Sequence, residues 1–311
     1  MAANLPSAAP LRALLHRARR IASACLLAWV ALPAAGAQDA ERSLLALERL
    51  PQADDAGDGW PSAVTRSRRD APASLIAGPY GQRAADYILT FSEEFDRSLD
   101  RSRWNDHIWY ERPHPVRNYA VENGVLKIWP ARDASGEFVK RTIDTDGKFE
   151  QRYGYFEMEA KLPRGKGLWP AFWLFAHPGE RRPEIDIMEA YPGGVDPWGF
   201  PGKDGVPHPR AYGATTWFDK DRPAGTRQFD TGLDLSAGFH KYAVKWEPDQ
   251  QTYYFDGKEV LKLQASLSDP MYILLDLWYG SSSGDPDATT PLGKGNAFEI
   301  NYVRAWKFKG R

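Results

Sequence analysis

The chain has 311 residues, and 42% of them are hydrophobic and 26% charged, enough for one sizeable packed domain. Its formal net charge of -1 argues against a nucleic-acid partner, which normally demands a basic surplus. One cysteine excludes an intramolecular disulfide framework and a cysteine-based zinc site. Aromatic residues make up 13%, including 12 Trp, a composition suited to binding sugars or other flat ligands.

The N-terminus reads as a processing segment. Arg12, Arg17, Arg19 and Arg20 precede an uncharged run from Ile21 to Ala37, whose apolar centre is Cys25 to Val30. The run ends in Ala35-Gly36-Ala37, a small-x-small cleavage pattern, so residues 1–37 are expected to be a secretory signal peptide. Cleavage removes the only Cys and leaves 36 basic against 41 acidic residues, a net charge of -5. A secreted or periplasmic monomer is expected, with no stable membrane association once the signal is gone. An uncleaved anchor is the alternative, since the run is at the lower limit of a spanning helix.

Residues 38–78 read as a linker or a strap on the domain surface. Leu44, Leu45, Leu47 and Leu50 suggest a short helix there, before polar, Gly-bearing sequence from Asp54 to Asp70. The catalytic domain is expected over 79–311. From Tyr87 onward short β-branched and aromatic runs alternate with turn residues, as in Gly124–Trp129, Tyr153–Leu162, Tyr242–Trp246, Thr252–Phe255 and Ile300–Trp306. Asp256-Gly257 is a tight-turn signal, and helical periodicity is absent from this region. The pattern predicts an all-β fold, a sandwich or barrel. Residues 192–209 read as a long Pro/Gly loop, either a site wall or a surface excursion.

The most informative stretch is Glu184-Ile185-Asp186-Ile187-Met188-Glu189. In a strand Glu184 and Asp186 share a face while Ile185 and Ile187 point the other way. Strict alternation would send Glu189 to the wrong face, and one extra residue at a β-bulge near Ile187-Met188 restores it. Carboxylates so close repel one another and raise a pKa, as glycoside hydrolysis requires: one must stay ionised and another must carry a proton. By spacing alone, an acidic solvated face or a calcium site explains the cluster equally well.

The surroundings shift that balance. Gly167-Leu-Trp-Pro-Ala-Phe-Trp-Leu174 before the acids, Glu184-x-Asp186-x-x-Glu189 itself, Glu94-Phe-Asp96 with Trp104, Tyr153-Gly-Tyr-Phe-Glu157, Phe239-His-Lys-Tyr242 with Trp246, Asp256-Gly-Lys258 and Tyr302-Val-Arg304 occur in the order found in one family. Over about residues 87–308 the chain resembles glycoside hydrolase family 16, the laminarinase and lichenase group, in its bulged branch. The resemblance implies a jelly-roll sandwich of two antiparallel sheets with a concave substrate cleft. It implies a retaining mechanism with Glu184 as nucleophile, Glu189 as general acid and base, and Asp186 assisting, the two working carboxyls about 5–5.5 Å apart. No cofactor is required for that catalysis. A structural calcium on the convex side is an option, although Asn301 stands where many members have Asp.

By the same resemblance Trp169 and Trp173 approach the subsites beside the cleavage point. Trp278, Tyr191 and Trp198 are further substrate-binding candidates, Trp109 and Tyr110 suit the far end, and Trp246 and Trp306 suit the core. The six His show no metal spacing, so no metal ligands are assigned; His240 reads as structural, and His208 on the long loop is a minor candidate for substrate contact. No nucleophile elbow surrounds a Ser. Two departures leave the polysaccharide open: Tyr212 to Trp217 lacks the His-Gly-x-x-His of many β-1,3-glucanases, and Asp276-Leu-Trp-Tyr-Gly replaces the usual Asn-x-x-x-Gly-Gly. The leading expectation is a secreted retaining endo-glycosidase acting on a β-1,3- or β-1,3-1,4-glucan. The alternatives are a glycanase that processes a bacterial exopolysaccharide, a transglycosylase, and a non-catalytic carbohydrate-binding protein, whose mark would be lost catalytic acids.

Overall fold

The structure, a computed structural model, describes residues 78–176, 182–194 and 196–310. The expected signal peptide, and the linker or strap up to residue 77, lie outside the described residues. The described residues form sixteen strands: β1 Tyr87–Glu93, β2 Tyr119–Glu122, β3 Val125–Ile128, β4 Arg141–Asp144, β5 Gly154–Lys161, β6 Leu168–Phe175, β7 Glu184–Ala190, β8 Gly199–Pro201, β9 Pro207–Pro209, β10 Ala211–Asp219, β11 Arg222–Asp230, β12 His240–Trp246, β13 Gln250–Phe255, β14 Lys258–Gln264, β15 Tyr272–Tyr279 and β16 Phe298–Phe308. Among the described residues, helix is limited to three-residue 3₁₀ turns.

Two antiparallel sheets make the sandwich. One has the order β14-β13-β12-β5-β16-β3-β2, with β1 also paired to β16; the other is β11-β10-β7-β6-β15-β4. This is the two-sheet antiparallel sandwich that the family resemblance implies. Two hairpins follow from local chemistry. Asn123-Gly124 and Asp256-Gly257 each hold two successive residues at positive φ, the two-residue turn whose twist matches the flanking strands.

The alternation read from the sequence decides which face is buried. In β6 Leu168, Phe172 and Leu174 enter the core between the sheets, and in β15 Ile273, Leu275 and Leu277 do the same. They meet Phe156, Met158, Tyr242, Val244, Trp246 and Val303 from the other sheet. Trp246 is thus a core residue. Trp306 packs with Tyr155 and Tyr254 in a smaller cluster. On β5, Glu157 and Glu159 share the face opposite the core with Tyr155: Glu157 accepts from the Tyr302 hydroxyl, and Glu159 from Lys241 and from Asn301. The amide of Asn301 is therefore committed to a carboxylate.

The stretch 192–209 is more ordered than a plain Pro/Gly loop. It folds back as the β8–β9 hairpin, which the flanking prolines concealed from a strand reading. His208 belongs to that hairpin. Its Nδ1 lies 2.7 Å from Asp234 Oδ2 and its Nε2 3.2 Å from an Arg164 nitrogen, which fixes the hairpin to the domain. His240 pairs with Asp256 at 2.8 Å and stacks on Phe255.

Candidate active site

The site is built on the open face of the six-stranded sheet, and the strand register maps it. Residues directly opposite on neighbouring strands share a face. One row pairs Trp169 of β6 with Trp278 of β15, and Tyr191, just past β7, packs on Trp169. The next runs Gly213, Glu189, Ala171, Asp276, Thr142. A third runs Thr215, Asp186, Trp173, Leu274, and a fourth Trp217, Glu184, Phe175, Tyr272. The three acids therefore occupy three successive rows of one face.

A bulge makes this arrangement possible. Phe172 pairs with Met188 but Trp173 pairs with Asp186, which leaves Ile187 as the extra residue. The register against β10 slips over the same residues, between Gly213 and Thr215. Ile187 and Met188 both turn into the core, and Glu189 returns to the face of Glu184 and Asp186.

The environments of the three carboxyls differ. Glu189 Oε1 accepts the indole N–H of Trp169 at 3.0 Å and the hydroxyl of Tyr191 at 3.3 Å. Both donors reach the same oxygen. Burial, with the charge of Asp186 added, holds the Glu189 carboxyl well above the ordinary range despite those donors. Asp186 is 3% exposed and accepts the N–H of Trp217 on Oδ2 at 2.8 Å. Burial and the neighbouring Glu184 raise it strongly. Glu184 shares a hydrogen bond with Asp186 and is pushed up to about 7 by burial, with the charges of Glu189 and Asp276 contributing. Both carboxyls are raised and hydrogen-bonded to each other, so full ionisation of the pair is disfavoured.

An aromatic wall borders the acids. Trp169 meets Trp278 edge-on with centroids 5.8 Å apart and Tyr191 at 5.7 Å, and Tyr191 meets Trp198 at 4.7 Å. Trp198 lies over Gly213, whose absent Cβ would sit 3.6 Å from its ring. Trp169 and Tyr191 are nearly buried, whereas Trp173, Trp198 and Trp278 are half-buried. The segment 104–112 covers the same face further along. Asn105 pairs with Asp144, Ile108 packs on Tyr272 and Leu274, and Trp109 and Tyr110 stand exposed in edge-to-face contact.

Sequence reasoning did not single out Trp217, the donor to Asp186, or Asp276 as a member of the site. Both signals exist only in the register, since Trp217 lies opposite Glu184 and Asp276 stands two strands from Glu189. Among the described residues, no group of three or more His, Cys, Asp or Glu is arranged to hold a metal ion.

Comparison with known proteins agrees with this geometry. The family model of glycosyl hydrolases family 16 matches residues 115–304. The chain belongs to that family. Among curated relatives, the family resemblance includes "Endo-1,3-1,4-beta-glycanase EglC" of Rhizobium meliloti (strain 1021), 31% identical over 217 residues, which are 67% of this chain and 43% of the relative. "Endo-1,3-1,4-beta-glycanase ExsH" of the same organism is 29% identical over 219 residues, again 67% of this chain and 44% of the relative. The chain thus spans less than half the length of these two relatives. The solved catalytic domain of an endo-1,3-beta-glucanase (laminarinase) from Thermotoga petrophila superposes with a TM-score of 0.58 at 27% identity, covering 72% of this chain and 99% of that one.

Proposed function

We propose that the protein is a secreted retaining endo-glycosidase that hydrolyses internal β-linkages of a β-1,3- or β-1,3-1,4-glucan. The observation that carries this reading is the bulge at Ile187, which sets Glu184, Asp186 and Glu189 on one open face with unlike environments. Relatives named for endo-1,3-1,4-β-glycanase activity, and a laminarinase of the same fold, support the substrate class.

The chemistry follows from the carboxyls. Glu184, in its ionised form and hydrogen-bonded to Asp186, attacks the anomeric carbon. Glu189 keeps its proton through burial, and with both donors on Oε1 it presents that proton from Oε2 to the glycosidic oxygen. The bond to the leaving sugar breaks and a glycosyl ester on Glu184 remains. Glu189, now ionised, takes a proton from water, whose oxygen displaces Glu184 and restores the starting state. No step calls for a metal or an organic cofactor. Trp173, Trp198 and Trp278 offer partly open indole faces for the apolar sides of pyranose rings. Trp169 and Tyr191 contribute chiefly as donors to Glu189.

The test is a glycan panel of laminarin, lichenan, barley glucan, agarose, carrageenan and acidic exopolysaccharides, with reducing ends and product masses read beside Glu184→Gln. Internal cleavage of a β-glucan that is lost in the variant is expected. Cleavage of an exopolysaccharide alone would move the substrate class, and binding without cleavage of any glycan would overturn the enzyme reading.

A further inference from the structure

A fourth carboxyl lies on the same face. Asp276 of β15 pairs with Ala171, and Ala171 pairs with Glu189, so Asp276 and Glu189 flank one small residue in a single row. Asp276 is 3% exposed. Its Oδ2 accepts the indole N–H of Trp173 at 3.0 Å, and it also hydrogen-bonds the Thr142 side chain. Thr142 Oγ1 in turn accepts the indole N–H of Trp278 at 3.1 Å. One carboxyl therefore terminates two chains of hydrogen bonds, and each chain begins at a half-buried tryptophan that faces the cleft.

We propose that Asp276 is a positioning residue that fixes the Trp173 and Trp278 indoles as the stacking surfaces for the pyranose units beside the cleavage point. The inference rests on the glycanase reading of this face. An indole ring turns about two side-chain bonds, and a hydrogen bond at its N–H removes that freedom before a sugar arrives, so less is lost on binding. The register requires this arrangement. Trp173 lies two residue pairs along from the Asp276–Ala171 pair and Trp278 two pairs along the other way, so Asp276 sits on the same face between the two tryptophans.

Burial holds this carboxyl well above its ordinary range. Its Oδ1 has no partner, and the charged groups that act on it, Asp144 and Glu111, are both acids. An ionised carboxylate there would be an uncompensated buried charge. A side-chain amide keeps an oxygen that accepts from Trp173 and carries no charge.

The test compares wild type, Asp276→Asn, Asp276→Leu and Thr142→Val on the cleaved β-glucan, with kcat and KM separated and oligosaccharide-induced tryptophan fluorescence recorded. Asp276→Leu is expected to raise KM by roughly tenfold or more with kcat changed less than about threefold, the signature of lost ground-state binding. Asp276→Asn is expected to return KM to within about threefold of wild type. Thr142→Val, close in shape and cutting only the Trp278 arm, should give an intermediate rise in KM and a reduced fluorescence response, and it keeps the test open if the Leu variant misfolds. An unchanged KM in Asp276→Leu or Thr142→Val would overturn the proposal. So would a fall in kcat at constant KM, or an Asn variant as impaired as the Leu variant. Wild-type cleavage with any of those results sinks this inference alone, whereas a wild type that cuts no glycan removes the glycanase reading and this inference with it.

Discussion

The indole nitrogen of Trp217 lies 2.8 Å from Asp186 Oδ2, reaching from β10 to the middle acid of the neighbouring strand. Asp186 also shares a hydrogen bond with Glu184. Trp217 is thus a positioning residue for the pair. Trp217→Phe keeps most of the ring and removes the donor. Hydrogen bonds to charged or charge-sharing groups contribute about 1.5–3 kcal/mol, so kcat/KM should fall by roughly 10–100-fold. A loss below threefold would show that Asp186 is oriented by other means.

The acid limb of the pH–rate profile should report the Glu184–Asp186 pair, which titrates as a unit. Burial and the charges of Glu189 and Asp276 push Glu184 up to about 7, so the limb of kcat/KM should lie well above the ordinary glutamate value. Asp186→Asn keeps a side-chain donor to Glu184 and removes the second titrating group, so the limb should not move up and should simplify to a single ionisation. A wild-type limb near pH 4 would contradict the burial of the pair.

The alkaline limb belongs to Glu189. Trp169 and Tyr191 donate to Oε1, and both bonds favour the ionised carboxylate. Trp169→Phe and Tyr191→Phe should each raise the Glu189 pKa and carry the alkaline limb to higher pH, with the shorter Trp169 bond having the larger effect. A shift to lower pH in either variant would contradict the assignment of Glu189 as the acid.

The clustered acids also cost stability, and the sign can be worked out. A carboxyl whose folded pKa is raised binds its proton more tightly in the native state. Its favourable contribution is present at low pH and is lost as pH rises through the folded value. For Glu184 the window runs from its ordinary value near 4.5 to about 7. Glu184→Gln should therefore change Tm little at pH 4 and raise it at pH 8, by the equivalent of ~1–3 kcal/mol. Equal Tm values at pH 8 would show that the native state solvates this carboxylate as well as water does.

Much of this site was legible in the sequence, for local reasons. Glu184, Asp186 and Glu189 can share a face only through a bulge, and the register places it at Ile187. Asp256-Gly257 announced its own hairpin because few residues tolerate two successive positive φ values. What stayed hidden depends on distant pairing. Trp217 and Asp276 face the acids only because β10 and β15 take the registers they do on either side of the β6–β7 pair. The β8–β9 hairpin is bracketed by Pro201, Pro207 and Pro209, which read locally as strand breakers. Trp169 looked like an open stacking surface, but its N–H is turned to Glu189 and its ring is packed between Tyr191 and Trp278.

The central claim is double displacement by Glu184 and Glu189, and the anomer released first tests it most directly. Proton NMR of the cleaved β-glucan in the first minutes, before mutarotation, should show the β-anomer of the new reducing end growing ahead of the α-anomer. The signal should be absent with Glu184→Gln. An α-anomer formed first would mean single displacement by water, and Glu184 would then not be the nucleophile.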